Sequence, residues 1–152
     1  MLHADRLTIV QNAAMKRVRS EAPALCPCGL AASYAQCCGR WHAGHVAPDA
    51  EKLMRSRYVA YVMNLEDYVL ATWHASTRPA AGFVENANEK PATPKFTGLT
   101  VLAHTRTGVD TAIVEFIARY KSGGRAYRLH EISRFVHEQG RWWYNDGEVR
   151  DH

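Results

Sequence analysis

Thr111-Ala112-Ile113-Val114-Glu115-Phe116-Ile117-Ala118-Arg119-Tyr120-Lys121-Ser122-Gly123-Gly124 decides the architecture. Val114, Phe116 and Tyr120 fall on one side of an extended chain and Glu115 and Arg119 on the other, the period-two pattern of a half-buried strand. Ser122-Gly123-Gly124 then supplies a hairpin turn. Working outward, residues 125–137 read as a long returning strand, Glu138-Gln139-Gly140 turns again, and 141–149 closes the sheet. On the upstream side, residues 96–105 around Leu99, Val101 and Leu102 add a further strand. Trp142 and Trp143 straddle this sheet, one facing the core and the other partly exposed.

Further upstream the period changes. Asp49 is an N-cap for a helix over 50–63, with Ala50, Leu53, Met54, Tyr58, Tyr61 and Val62 recurring at three- and four-residue spacing. Asn64 with Asp67 predicts the cap of a second helix, 65–73, carrying Leu65, Tyr68, Val69 and Trp73 on its apolar side. Thr77-Arg78-Pro79 stops it, and residues 80–95, with Pro91 and Pro94, read as a loop or flap. Helices followed by a run of antiparallel strands make the fold class α+β.

The chain has 152 residues, 47% hydrophobic and 22% charged, enough for one ordinary core with a small appended knot. A formal net charge of +4 permits contact with nucleic acid or other anionic surfaces, but no Lys/Arg run demands it. Residues 1–25 read as a flexible N-terminal extension with a basic patch at Lys16, Arg17 and Arg19. Met15 just before that patch is an alternative translation start. No stretch approaches the ~20 apolar residues of a membrane span, and the N-terminus lacks the apolar run of a secretory signal. The expected compartment is therefore the reducing cytoplasm.

All four cysteines of the chain lie in one segment, as Cys26-Pro27-Cys28 and, after eight further residues, Cys37-Cys38. In a reducing compartment such clustering points to metal before disulfides. Pro27 and Gly29 bend the chain around the first two thiols. Ser33 and Gln36 resemble a capping box for a short helix carrying Cys37 and Cys38, and Gly39–His45 reads as loop. Two close thiol pairs fit a closed, tetrahedral, structural zinc site built from Cys26, Cys28, Cys37 and Cys38. Unliganded thiols, crossed disulfides, or His42 replacing one thiol are the alternatives.

C-P-C-G followed by C-C resembles the SEC-C motif, the zinc knot at the C-terminus of the SecA translocation ATPase. Cys38 stands where that motif's last ligand is commonly His, and Leu30-Ala31-Ala32 where the motif has a Ser-Gly-Lys type of run. Further blocks resemble the YchJ family: Leu53-Met54-Arg55-Ser56-Arg57-Tyr58, Ala71-Thr72-Trp73-His74 with Ser76-Thr77-Arg78, Arg128-Leu129-His130-Glu131-Ile132-Ser133-Arg134-Phe135, and Trp143-Tyr144 before Asp146-Gly147. The resemblance implies a bacterial protein of unassigned biochemical function with a SEC-C knot over 26–44. Behind it, over 48–149, it implies a domain like nuclear transport factor 2, a cystatin-like cone of curved antiparallel sheet packed on helices.

In such a cone, alternation places Tyr127, Leu129, Glu131, Ser133 and Phe135 on one face and Arg128, His130 and Arg134 on the other. Glu131 then sits among apolar neighbours, where a lone carboxylate is costly unless paired, and Arg55 and Arg57 are the nearest partners. The candidate pocket residues are Arg55, Arg57, Tyr58, His74, Arg78, Glu131 and Ser133. Either Glu131 is half of a structural ion pair, or it is a base in a pocket where an arginine orients an anion. His130-Glu131 is not a metalloprotease helix, because the second histidine is absent and the segment reads as strand. His74, Ser76, Thr77 and Arg78 fit a hydrogen-bonded helix end better than a catalytic group.

Three function classes follow. The first is an interaction module whose structural zinc knot docks on a protein or ribosomal partner, as SecA's tail engages the SecB chaperone and ribosomes. Second comes a small-molecule binder or an isomerase- or dehydratase-like enzyme using the cone around Glu131. Third is nucleic-acid binding through the basic surface. No acid–base pair is placed by the sequence, so binding is expected before catalysis.

Overall fold

The computed structural model describes residues 24–82 and 94–150. A 3₁₀ turn (Tyr34–Gln36) leads into helices α1 (Cys38–His42), α2 (Ala50–Val62) and α3 (Glu66–Ala71). Strands β1 (Lys95–Arg106), β2 (Thr111–Ser122), β3 (Arg125–Glu138) and β4 (Arg141–Arg150) follow. The fold is the expected α+β arrangement. Met15, the basic patch, and most of the anticipated loop over 80–95 lie outside the described residues.

The four strands pair in chain order and are antiparallel throughout. Gly123 and Gly124 both take positive φ, as the two-residue hairpin between Ser122 and Arg125 requires. Register irregularities next to Thr97, Leu102 and Asn145 each leave one residue without a cross-strand partner. Such bulges bend and twist a strand, and here they accompany a curved sheet. At the bulge Leu102 is about half exposed, while Leu99 is buried.

Helix α2 begins where expected, the Asp49 carboxylate accepting a 2.7 Å hydrogen bond from the Lys52 amide. It lies on the concave face of the sheet, burying Leu53, Met54 and Tyr58 in one cluster with Leu99, Val114, Phe116 and Phe135. The second helix is shorter than predicted, and Asn64 does not cap it. Instead Asn64 takes φ 58° just past the end of α2, with its amide directed to Tyr61 O (3.4 Å) and the Leu65 amide to Ala60 O (2.8 Å). That is the double bond pattern that closes a helix through a left-handed residue. Asparagine suits both roles, so its side chain alone did not distinguish them.

After α3, residues 72–74 lace onto the free edge of β4. The Tyr144 amide donates to Thr72 O and the His74 amide to Tyr144 O, at 2.8 and 2.7 Å. The pairing is parallel. Trp142 is buried and Trp143 only partly so.

Because position 64 needs a left-handed backbone, Asn64→Ala should lower unfolding stability by about 1 kcal/mol, whereas Asn64→Gly should leave it unchanged or slightly raised. Urea denaturation midpoints of the two variants test this; equal losses would contradict the helix-closing role.

Candidate functional site

The chain turns tightly at Cys26-Pro27-Cys28-Gly29, the Gly29 amide donating to Cys26 O at 3.2 Å. Ser33 makes no side-chain cap, and only a single 3₁₀ turn follows it. The helix that carries the second thiol pair starts later, at Cys38, with Cys37 as its N-cap residue. Gly39–His42 is therefore helical rather than loop, and the second pair of thiols stands at a helix N-terminus.

This folding brings all four sulfurs within 4.8 Å of one another, every cysteine buried and free. The Sγ atoms of Cys28 and Cys37 are 3.6 Å apart. A tetrahedron with metal–sulfur bonds of ~2.3 Å has edges of ~3.8 Å, so the spacing suits a four-thiolate centre. The electrostatics point the same way. The Cys38 thiol donating to Cys28, with help from the Leu30 amide and against burial, pulls the Cys28 thiol down to about 5. Burial, then the bond to Cys28 and its negative charge, pushes Cys37 up to about 11. Cys38 is pushed up as well, first by its bond to Cys28 and then by burial. One thiolate thus blocks the ionisation of its neighbours, and a bound divalent cation would remove that conflict.

His42 is not at the centre. Its Nε2 lies 2.8 Å from Ser56 O and its Nδ1 2.6 Å from the Tyr34 hydroxyl. A carbonyl only accepts, so Nε2 carries the proton and Tyr34 donates to Nδ1. Burial holds the ring's pKa below its usual value, which suits this neutral form. His42 ties the knot to α2. Arg55 does the same, donating through Nη1 to Cys28 O at 2.8 Å and through Nε to Glu51 at 2.9 Å. The expected proximity of Arg55 to Glu131 is thus corrected: Arg55 faces the knot.

Between α2 and the concave face of the sheet is a cavity of about 250 Å³. Arg57, Tyr58, Glu131 and Ser133 line it, together with Tyr61, Trp73, Tyr144 and an apolar remainder that includes Met54, Phe96, Phe116, Ala118 and Leu129. Arg55, His74 and Arg78 do not. His74 bonds Ser76 and Glu138, at 2.7 and 3.0 Å, and Arg78 donates twice to Trp73 O. Both belong to the strap over residues 72–78.

Arg57 is 6% exposed. Its Nη1 donates to Val69 O and Thr72 Oγ1, both at 2.7 Å. Its guanidinium lies over the rings of Tyr144 (4.3 Å) and Trp73 (5.0 Å). Burial pulls its pKa down to about 10, leaving it a cation at neutral pH. On the sheet side Glu131 Oε2 accepts from Ser133 at 3.1 Å. Burial raises its pKa, against the opposing effects of Ser133 and the Arg57 charge. Among the described residues no ion pair within 4.0 Å joins Glu131 to Arg57. Val149 pairs with Glu131 on β4, and the carboxyl has room because the diagonal neighbour, opposite Ser133, is Gly147. A Cβ there would lie 3.0 Å from both the Glu131 carboxyl carbon and the Tyr144 hydroxyl.

Arg57 was among the candidates, but Tyr144 and Trp73 were not. A signal for Arg57 exists in its spacing, since Met54, Arg57, Tyr58 and Tyr61 form one helical stripe. Nothing local to Trp73 or Tyr144 indicates that they meet, because their approach depends on the strap docking on β4.

Residues 49–147 match the family model described as the middle, NTF2-like domain of YchJ. A UPF0225 protein of Bordetella parapertussis is 50% identical over 131 residues, covering 84% of this chain and 95% of the relative. A UPF0225 protein of Methylibium petroleiphilum is 56% identical over 130 residues, covering 84% and 90%. Among solved structures, a SEC-C motif containing protein from Rhodopseudomonas palustris superposes with TM-score 0.73 at 35% identity, covering 83% of this chain and 98% of its own. One from Psychrobacter arcticus gives 0.70 at 29%, covering 84% and 83%.

A carboxyl whose folded-state pKa is raised stabilises the fold only at low pH. That contribution fades as pH rises from the ordinary value of 4.5 through the raised one. Glu131→Gln should therefore gain stability relative to wild type between pH 5 and pH 8. Urea titrations at the two pH values measure this, and a variant that loses ground at pH 8 would identify a stabilising ion pair instead.

Proposed function

The chain belongs to the YchJ family, and from that premise we propose that it is a small-molecule-binding protein whose fold is held by a structural zinc ion. Cys26, Cys28, Cys37 and Cys38 would hold the metal. Zinc suits four thiolates because it takes a tetrahedral sulfur set and brings no redox chemistry. With all four positions filled by protein, it supplies cross-linking and charge neutralisation rather than a site for substrate. The SEC-C motif named in the two structural relatives supports the assignment. A reducing, cytoplasmic setting would keep such thiols free.

One observation carries the binding function: a buried cation and a half-buried carboxyl group line the same largely apolar cavity with no ion pair between them among the described residues. Buried charges in folded proteins are paired or solvated by something. A polar molecule between Arg57 and Glu131 would meet that demand, and an apolar body would occupy the aromatic remainder. The cavity's volume corresponds to about eight waters at ~30 Å³ each, which suits a ligand on the order of ten heavy atoms.

A second function, docking on a protein or ribosomal partner through the knot, draws on the knot's surface. Leu25 is 66% exposed there and the Arg40 guanidinium stacks 4.5 Å over the Trp41 ring. Partners captured from lysate and lost on chelation would support it.

Natively purified protein should carry one zinc per chain. Replacing it with cobalt should give the visible spectrum of a tetrahedral four-sulfur site, and Cys37→Ser should lower metal affinity. Metal content below half an equivalent, or one indifferent to Cys37, contradicts the zinc assignment. Fragments found by ligand-observed NMR should lose binding in a folded Ala118→Leu variant, which fills the cavity. Undiminished binding in that variant would place them elsewhere.

A further inference from the structure

The guanidinium of Arg57 is only half used. Nη1 carries both hydrogen bonds, to Val69 O and Thr72 Oγ1, while Nε and Nη2 bond no described residue. Those two nitrogens form the parallel-donor edge that matches the two oxygens of a carboxylate. The rings of Tyr144 and Trp73 hold the guanidinium plane, so the edge is preorganised. The rest of the cavity is apolar and aromatic, with Phe96, Phe116, Ala118 and Leu129 in its wall.

We infer that the cavity takes a small monocarboxylic acid, its carboxylate on the Nε–Nη2 edge of Arg57 and its apolar body against the aromatic wall, with Glu131 binding in its protonated form. This rests on the cavity being the binding site proposed above, and it adds the chemical class of the occupant. Two carboxylates cannot share one small apolar space while both are charged. A protonated Glu131 removes the conflict and gains an O–H donor for the ligand.

The surroundings of Glu131 suit that state. From α2 it faces Arg57 and Tyr61, and from β4 Tyr144 and the side-chain-free Gly147. Its partner on β2 is the apolar Phe116. Ser133, on its own strand, is its one hydrogen-bond donor among the described residues. Burial already favours its neutral form, and an incoming anion favours it further. Acid binding is then coupled to uptake of one proton. Above the pKa of Glu131 the affinity should fall about tenfold per pH unit.

Matched probe pairs on the intact, metal-loaded protein test this without any variant: benzoate against benzamide, and hexanoate against hexanamide. Binding is read from the methyl resonances of Met54, Ala118 and Leu129 between pH 5 and 8. Each acid should bind at least tenfold tighter than its amide at pH 5 and weaken as pH rises. In Glu131→Gln the acids should still bind, with affinity independent of pH. Amides binding as well as acids would overturn the carboxylate class while leaving the cavity as a binding site. If no probe moves these methyl groups, both the class and the cavity reading fail. Wild-type acid binding that does not change with pH would overturn the role given to Glu131.

Discussion

Four sulfur atoms held within 4.8 Å of one another in a buried setting impose the strongest constraint on this molecule. As thiols they stabilise one anion, on Cys28, at the expense of the others. As four thiolates they would repel one another strongly without a cation. A divalent metal would resolve the conflict and, by cross-linking the turn at Cys26–Cys28 to the start of α1, would fix a segment with little regular structure of its own. The cysteines are also continuous with the main core. They belong to the cluster that contains Leu53, Met54, Tyr58 and Leu99, and Arg55 and His42 bond across the junction. The knot therefore acts as one wall of the domain, a role different from that of an appended tag.

The junction also separates the roles of the arginines on α2. Residues 55 and 57 are about 200° apart around a helix with ~3.6 residues per turn, so they face opposite ways. Arg55 reaches the backbone of the knot, and Arg57 reaches the cavity. One helix thus joins the cysteine cluster to the residue proposed to hold a ligand. The strap over 72–74 completes the arrangement, since the Trp73 and Tyr144 rings that hold the guanidinium meet only when it pairs with β4.

Much of this was legible in the chain. Alternation in β2 and β3, the Gly123-Gly124 turn and the three- and four-residue spacing of α2 are local signals, and each element formed where its pattern predicted. The cysteine cluster was legible because its spacing is short enough for any fold to bring the thiols together. Less could be read where one residue type serves two ends. Asn64 closes α2 instead of opening α3, and no local pattern marks the bulge that leaves Leu102 half exposed. The cavity was legible in part. Strand alternation placed Glu131 and Ser133 on one face, but the choice between Arg55 and Arg57 depended on helix phase relative to the knot. Trp73 and Tyr144, 71 positions apart, meet through tertiary pairing that no local pattern announces.

A metal held by the four cysteines would order the helix that builds the cavity. Amide hydrogen exchange of the metal-loaded and chelator-treated protein tests it directly. Loss of protection should extend from the knot along Ala50–Val62 and into β1 around Leu99. Loss confined to residues 24–47, with α2 and the sheet as protected as before, would contradict the claim.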